Sequence, residues 1–475
     1  MKIRIILLFL IIFTAEIYAQ ESWVHTYDPF DEYNEAIFSV EDVVIMSDGC
    51  YAVNGTAINT ETTIGWGFVI KVSQEGELLW AKRDEVSFQY ENAGQAIVAA
   101  DDGGIISASH HYLLDSILIK RDSDGNREWV ESYSNYNDLR IESLDNTNDG
   151  NYIITGAQAF NNYETSHACI AKISDTGDVL WINDFYIENT LWTAGKAIIS
   201  TNDGGYLITG YAVLDENMIN DAVLVIKTDA AGDSIWTRYL NLTPDRDNGH
   251  TIVETLEGDI LVGGYTRAGV TRDGFIWKLD SEGNTIWVEE GYENCGYMYS
   301  SFAITNDDQV LSIFSNLVYH DSLRKFDFEH NEDWTVFLPY HSAGDGDKVI
   351  RTTPEGNIIV GLLKYSNSTV GITKLNPDGT EINDETITIL PGNFVAYPNP
   401  FNPEIRFSFS CENNNLVELH IYNIKGQIVS NHDYNAVRGQ NIISWKANGL
   451  PSGNYFAELI KSNKQHIVKK IILMK

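Results

Sequence analysis

The 475-residue sequence has little positive charge, few cysteines and few prolines. Its 32 Lys and Arg residues stand against 67 Asp and Glu residues, which gives a formal net charge of −35. This charge argues against nucleic acids and anionic membrane surfaces as partners, because both would be repelled. The cysteines Cys50, Cys169, Cys295 and Cys411 lack CxxC and Cys/His spacings, so we expect no metal site and mostly buried, unpaired thiols. A disulfide between cysteines of distant repeats remains an alternative.

Motifs of the common enzyme classes are also missing. The sequence has no Ser/His/Asp signature, Gly-x-Ser-x-Gly elbow, P-loop or Gly-x-Gly-x-x-Gly after a strand. We therefore predict no catalytic residue and no cofactor. A pair of glycosidase carboxylates remains an alternative, because spacing in the sequence cannot single out such a pair among 67 acidic residues.

Only the first residues contain an apolar run of the kind that enters a membrane. Lys2 and Arg4 precede an apolar run over residues 5–13, and the small residue Ala19 stands before Gln20. The run is too short for a permanent membrane helix. This pattern predicts a secretory signal peptide over residues 1–19 and no transmembrane segment after its removal.

Between residues 20 and 390 a unit of acidic turn, lysine-bearing apolar run and, in six cases, tryptophan recurs seven times. The turns begin at Asp48, Asp102, Asp149, Asp203, Glu257, Asp307 and Glu355. The lysines are Lys71, Lys120, Lys172, Lys227, Lys278, Lys325 and Lys374, and the tryptophans are Trp80, Trp129, Trp181, Trp236, Trp287 and Trp334. The lysines are 49, 52, 55, 51, 47 and 49 residues apart. Such a period with four short β-rich runs predicts an all-β fold, a seven-bladed β-propeller over residues 20–390.

The repeated lysines and tryptophans are best explained by packing, with each tryptophan ring between neighbouring sheets and its N–H on one acceptor. The pattern loosely resembles quinoprotein-like propellers of the DGG-repeat type. That likeness concerns the repeat and implies no quinone cofactor.

The seventh repeat lacks a tryptophan, and an unassigned one, Trp23, occurs near the start of the chain. We expect the strand around Trp23 to be the outer strand of the seventh blade, because an unpaired sheet edge is unfavourable. The alternative is an open ring with Trp23 in a disordered lead.

Residues 391–475 differ from the repeats in both charge and pattern. From Pro391 onward nine Lys and Arg residues stand against five Asp and Glu residues, a net charge of +4. Short alternating apolar runs between Pro, Asn and Gly turns predict a small Ig-like β-sandwich. The change in charge and pattern places a domain boundary at about residue 390.

The same segment carries an ordered set of motifs. Its members are Pro398-Asn399-Pro400, the hairpin of residues 422–427 with Gly426, the turn of residues 450–455 with Gly453, and the end with Lys469 and Lys470. The set resembles the type A C-terminal sorting domain of the type IX secretion system in Bacteroidetes and related bacteria. The resemblance implies outer-membrane export by that machinery, followed by a sortase that attaches the cargo to the surface or releases it.

Two local patterns have simpler structural explanations. Residues 122–126 look like half a calcium loop, but the later bidentate Glu is missing, so a turn is favoured. Weak calcium binding at several acidic turns stays open. His110 and His111 lack the partner spacing of a metal site.

The residue seven positions before each turn is polar and differs between repeats. These residues are Glu41, Gln95, Glu142, Lys196, His250, Ser300 and Lys348. We expect them to precede the innermost strand of each blade and to form a ring near one mouth of the channel, where a ligand binds. A solvated rim is the simpler alternative. His250 beside Glu142 and Lys348 could do acid/base work, but the sequence places no pair at catalytic distance.

The leading hypothesis is a secreted or surface-attached, non-enzymatic binding module for polysaccharide or another protein. It follows from repeats that look structural and from the lack of a catalytic motif. The rival is an extracellular polysaccharide hydrolase or lyase, and a third possibility is a spacer without a ligand.

Overall fold

A computed structural model describes most of the chain from Trp23 to Met474. The described residues are 23–30, 35–59, 61–62, 65–84, 92–111, 114–136, 138–160, 165–214, 220–268, 271–290, 299–316, 320–329, 331–338, 348–364, 369–379, 395–397, 401–411, 415–423, 425, 427–437, 439–460 and 466–474. They form 35 β-strands and no helix, so the all-β prediction is confirmed. The predicted signal peptide and the motif residues Pro398, Asn399, Pro400 and Gly426 lie outside the described residues.

The repeats form antiparallel sheets of four strands, called sheets 1 to 7 here. Sheet 1 contains β2 (Glu35–Ile45), β3 (Tyr51–Asn59), β4 (Gly65–Val72) and β5 (Leu78–Arg83). Sheet 2 contains β6 (Asn92–Ala99), β7 (Ile105–His111), β8 (Leu114–Arg121) and β9 (Arg127–Ser132). Sheet 3 contains β10 (Arg140–Asn146), β11 (Tyr152–Phe160), β12 (Thr165–Ile173) and β13 (Val179–Phe185). Sheet 4 contains β14 (Thr193–Ser200), β15 (Tyr206–Val213), β16 (Asp221–Thr228) and β17 (Ser234–Leu240).

The remaining repeat sheets follow the same order. Sheet 5 contains β18 (Arg246–Glu254), β19 (Ile260–Ala268), β20 (Thr271–Leu279) and β21 (Thr285–Glu290). Sheet 6 contains β22 (Tyr299–Ile304), β23 (Val310–Asn316), β24 (His320–Phe326) and β25 (Glu332–Phe337). Sheet 7 contains β26 (Val349–Thr352), β27 (Ile358–Lys364), β28 (Thr369–Leu375) and β1 (Trp23–Tyr27). Sheets 4 and 5 are joined by one parallel pair, Asp221 with Arg246.

The C-terminal region has two sheets that share one core. The first contains β29 (Val395–Tyr397), β30 (Glu404–Cys411) and β33 (Gly439–Lys446). The second contains β31 (Asn415–Asn423), β32 (Ile428–Ala436), β34 (Gly453–Ile460) and β35 (His466–Leu473). Their apolar faces meet around Phe407, Leu419 and Trp445, as in a two-layered sandwich.

Neighbouring repeat sheets pack on each other through apolar clusters. Each consecutive pair of sheets shares one cluster, and sheet 7 shares one with sheet 1 around Trp23, Val43 and Ile372. The first strand of each sheet contacts the first strand of the next, from β2 and β6 through to β22 and β26. Strand β2 also contacts β26 and β27 of sheet 7.

Strand β1 is the fourth strand of sheet 7. It pairs antiparallel with β28, from Trp23 opposite Lys374 to Tyr27 opposite Val370. The prediction that the N-terminal strand supplies the missing tryptophan of the seventh repeat is thereby confirmed. The Trp23 indole N–H donates to the Gln74 carbonyl of sheet 1 at 2.7 Å. This strand therefore joins the first described residues to the last repeat and to the first.

The tryptophan of one sheet lies over a glycine of the next sheet. The pairs are Trp23 on Gly76, Trp80 on Gly125, Trp129 on Gly177, Trp181 on Gly232, Trp236 on Gly283 and Trp334 on Gly379. A Cβ on Gly232 would lie 2.5 Å from the Trp181 ring, so only glycine fits there. The predicted contact between sheets is confirmed, but only Trp23 is buried, at 8% exposure, and the other rings are half-buried. The rings lie at the sheet rim because they are on the outer strands.

The first six of the seven repeated lysines bind the acidic turns of their own sheets. Lys71 lies 2.8 Å from Asp48, Lys120 2.5 Å from Asp102, Lys172 2.6 Å from Asp149, Lys227 2.7 Å from Asp203, Lys278 3.0 Å from Asp259 and Lys325 2.8 Å from Asp307. Each lysine stem crosses the sheet and places its ammonium group under the turn. These pairs give the repeated lysines a structural role.

Acid should weaken these turn pairs. Burial raises the pKa of Asp203, but hydrogen bonds from Lys227 and Thr201 more than offset it and lower the pKa to about 2. A lowered folded pKa means that the pair stabilises the fold above the unfolded value of about 4 and is lost as the pH falls through the folded pKa. We expect Asp203→Asn to be less stable than the parent at pH 7 and the difference to shrink between pH 4 and about 2. Denaturant unfolding at several pH values tests this, and a constant difference would contradict it.

Two smaller predictions can be compared with the structure. Cys169 is buried and Cys50 is half-buried, and both are unpaired. At residues 122–126 the Asp122 carboxylate accepts hydrogen bonds from the backbone N–H groups of Asp124 and Asn126, which confirms a turn. Within the described ranges no helix has the length and hydrophobicity that a membrane crossing requires.

Candidate functional site

The predicted ring residues lie at one equivalent position of the first strands. In six sheets a β-bulge falls there, and the bulged residues are Glu41, Gln95, Glu142, Lys196, His250 and Ser300. Lys348 directly precedes β26. The prediction that all seven precede the innermost strand is therefore wrong for six of them, because the first strands begin several residues earlier. A bulge lets two residues oppose one partner, which turns the extra side chain out of the regular alternation.

The residue after the bulge links neighbouring sheets in four places. Asp42 accepts from the Ile97 N–H at 3.4 Å, Ser143 from Ile198 at 3.3 Å, Thr251 from Phe302 at 2.9 Å and Ser301 from Ile350 at 3.1 Å. Each acceptor is a side-chain oxygen and each donor is a backbone N–H of the next first strand. The bulge therefore also serves the packing of one sheet on the next.

The structure brings two of the ring residues, Glu142 and Lys196, into direct contact. Their side chains form an ion pair of 2.9 Å between sheets 3 and 4, and Arg140 lies 2.9 Å from the same carboxylate. Burial raises the pKa of Glu142, but Lys196 and Arg140 more than offset this and keep it below its usual value. Burial lowers the pKa of Lys196, and the Glu142 charge more than offsets it, so that pKa is raised. Both groups are therefore charged at neutral pH and hold each other in place.

The other ring residues differ in accessibility. Lys348 is buried at 2% exposure and lies 3.2 Å from the equally buried Asp321, so it cannot contact a ligand without leaving this pair. Glu41, Gln95 and His250 are half-buried. The His250 ring lies 5.3 Å from the Tyr265 ring, measured between centroids. His250 and Glu142 lie in sheets 5 and 3, and Lys348 lies directly before sheet 7.

A charged group between first strands was missed by the sequence reasoning. Arg351 of sheet 7 lies 2.6 Å from Asp42 of sheet 1, and it also acts electrostatically on Asp145 of sheet 3. Burial raises the pKa of both carboxyl groups, and the Arg351 charge offsets part of the rise. Three first strands therefore bring these side chains close together. The sequence did contain one signal for this group, an acidic residue inside an apolar strand. Many strands contain such a residue, so the signal does not single out Asp42 or Asp145.

A cavity of about 400 Å³ lies beside the acidic turns of sheets 2 and 3. Asp102, Lys120, Asp149 and Tyr152 contribute to its lining. Lys120 forms an ion pair with Asp102 there. In the described part of the chain, no group of three or more His, Cys, Asp or Glu residues is arranged to hold a metal ion. The residues of the lysine–turn ion pairs therefore form part of the wall of this cavity.

The C-terminal motif residues that are described lie on the surface. Gly453 starts β34 with φ +153°, and a Cβ there would meet nothing within 4 Å. Lys469 and Lys470 are exposed on β35. These three motif residues are therefore accessible to solvent.

The solved structures that are similar to the chain include three with the following likeness. A protein of unknown function from Dyadobacter fermentans is 12% identical, with a TM-score of 0.44, over 74% of this chain and 99% of that one. A protein of unknown function from Bacteroides caccae is 10% identical, with a TM-score of 0.31, over 55% of this chain and 96% of that one. A puromycin hydrolase is 10% identical, with a TM-score of 0.48, over 79% of this chain and 59% of that one. Comparison with curated proteins gives no match.

One family matches the C-terminal region. Residues 395–474 match the family described as a secretion system C-terminal sorting domain, in agreement with the resemblance found in the sequence. These residues include both sheets of the C-terminal sandwich. The chain carries a type IX sorting domain, and the protein is exported through that system to the extracellular space or the cell surface.

Proposed function

We propose that residues 20–390 are a seven-bladed β-propeller closed by β1, and that it serves at the cell surface as a non-enzymatic binding module. The closed ring is supported by three features. Each of the seven sheets has four strands in the same spatial order, consecutive sheets and the last and first share apolar clusters, and β1 pairs with β28. Residues 391–475 are the sorting domain in this proposal, and residues 1–19 are the signal peptide. The sorting machinery and its sortase handle the C-terminal domain, and the propeller carries the ligand site.

The repetition of the bulge is the observation that carries the binding role. A bulge at one equivalent position falls on a polar residue in each of six first strands, and these residues are of five types. Core positions repeat the same residue types from sheet to sheet, whereas these positions do not. Variable side chains on a rigid scaffold are typical of a ligand surface. Gln95 and His250 are two half-buried members, and we assign them to a polysaccharide or surface-protein ligand.

A glycan microarray with the full mature chain tests this function. We expect the double variant Gln95→Ala/His250→Ala to bind at least about fivefold more weakly, as for the loss of contacts inside an interface. Lys348 is left unchanged because its removal would leave Asp321 buried without its ion pair. The matched control is Asp124→Ala/Glu282→Ala, two exposed turn residues at the opposite strand ends.

Three outcomes of the array are informative. Loss in the first variant and binding in the control would support a site at the bulges. Equal binding by both variants would contradict that site. Absence of any glycan binding would leave a protein ligand, which a search for surface proteins retained by the immobilised chain would then address.

Extracellular polysaccharide hydrolysis or cleavage by a lyase is the second candidate function. The observation in its favour is the placement of Asp42 and Asp145 on first strands near Arg351, where burial raises the pKa of both carboxyl groups. Against it, both carboxylates already accept backbone N–H groups of neighbouring sheets. Release of reducing ends from polysaccharides by the parent, and its loss in Asp42→Asn and Asp145→Asn, would favour the enzyme over the binding module.

A further inference from the structure

A second polar and aromatic group lies on sheet 3, away from the first strands. It consists of Phe160 at the end of β11, His167 on β12, Asp184 near the end of β13 and Tyr186 directly after it. The His167 Nδ1 lies 2.7 Å from the Asp184 Oδ2. The His167 ring is 4.4 Å from the Phe160 ring and 5.4 Å from the Tyr186 ring, measured between centroids. Four side chains thus form one continuous surface group.

The strand register explains why these residues meet. His167 is opposite Gln158 on β11, and Asp184 is opposite Cys169 on β12. Since side chains alternate along a strand, Phe160, His167 and Asp184 lie on the same face of the sheet. They lie where β11 and β13 end, which is also the end at which β10 begins. The group is therefore on the same side of the molecule as the bulged residues.

Exposure sets this group apart from the structural aromatics. Tyr186 is 71% exposed, whereas the repeated Trp23 is 8% exposed. Asp184 is exposed, and the Phe160 and His167 rings are half-buried. An exposed aromatic ring has an unfavourable hydration cost that a stacked ligand removes. The hydrogen bond between Nδ1 and Asp184 fixes the His167 ring and leaves its Nε2 pointing away from that carboxylate.

We propose that Phe160, His167, Asp184 and Tyr186 form a subsite for one ring of a neutral polysaccharide. The apolar C–H face of a pyranose stacks on the Tyr186 ring, and its hydroxyl groups donate to Asp184 and exchange hydrogen bonds with His167. Asp184 and the net charge of −35 disfavour uronic acids and sulfated or phosphorylated sugars. This subsite rests on the proposed binding function and gives it a ligand class.

The test uses the full mature chain and immobilised hexasaccharides of glucose, mannose and xylose, with an oligogalacturonate as the anionic probe. Tyr186→Ala should weaken binding to one or more neutral hexasaccharides by at least about tenfold, because a central aromatic contact is lost. Tyr186→Phe keeps the ring and should bind within about twofold of the parent. Tyr239→Ala is the matched control, since Tyr239 is also exposed, at 43%, on the outer strand of sheet 4.

The alanine variants should fold, because both tyrosines are on the surface, and near-identical thermal unfolding would verify this. Undiminished neutral-glycan binding by Tyr186→Ala would overturn the subsite while leaving the propeller as a binding module. Preference for the oligogalacturonate would overturn it as well. Failure of the parent to bind any hexasaccharide would overturn the subsite, and the proposed function would then depend on a protein ligand.

Discussion

Replacement of Trp23 by alanine should lower the free energy of unfolding of residues 23–379 by about 3–5 kcal/mol, the usual range for a buried tryptophan. The ring is 8% exposed, covers Gly76 and lies 5.9 Å from the Tyr51 ring between centroids. Its indole N–H also loses the Gln74 carbonyl. The variant therefore weakens the contact between sheets 7 and 1. Denaturant unfolding of the full mature chain measures the change.

A surface residue of another outer strand is the control for Trp23. Ile235 is 58% exposed on β17, so Ile235→Ala should change the free energy of unfolding by less than about 0.5 kcal/mol. An effect of Trp23→Ala as small as that of the control would mean that β1 adds nothing to the fold.

Asp84→Ala should destabilise the same region by about 3–5 kcal/mol, because it leaves a buried positive charge without its partner. The Asp84 carboxylate lies 2.8 Å from Arg121 and accepts the Ser109 hydroxyl at 2.8 Å. The two charged side chains are 1% and 4% exposed and join sheets 1 and 2. Thermal unfolding and denaturant unfolding of the full chain measure the loss.

The double variant Asp84→Leu/Arg121→Met separates charge burial from packing. Well-packed apolar residues often replace a buried ion pair at little cost, so the double variant should recover most of the stability lost in Asp84→Ala. Equal loss in the single and double variants would show that the space is not filled well, and that the pair contributes mainly through its hydrogen bonds. A single variant that is as stable as the parent would contradict the interpretation of a buried, necessary pair.

Much of the fold follows from periodicity in the sequence. The turns, lysines and tryptophans mark one sheet per repeat, because a four-stranded sheet needs the same turn chemistry at the same places each time. Trp23 could be assigned to sheet 7 for a related reason. The seventh repeat has no tryptophan of its own, and Trp23 belongs to none of the other repeats. The glycines under the rings were visible in the sequence, but their steric reason required the neighbouring sheet.

The candidate site was less predictable. Counting back from the turns found the correct register, yet it could not show that the residues lie at bulges inside the first strands. It also grouped the buried Lys348 with the half-buried His250, because sequence position does not determine burial. Arg351 and Asp42 are 309 residues apart in sequence, so only the meeting of sheets 7 and 1 brings them together. The group around Tyr186 depends in the same way on the register of three strands.

Hydrogen exchange of the amides of residues 23–27 tests the ring closure most directly. The account predicts that the amides of β1 that point toward β28 exchange far more slowly than in an unstructured peptide, because they are bonded in the ladder. Trp23→Ala should accelerate them. Exchange of the whole segment at the unstructured rate in the parent protein would contradict a propeller closed by its N-terminal strand.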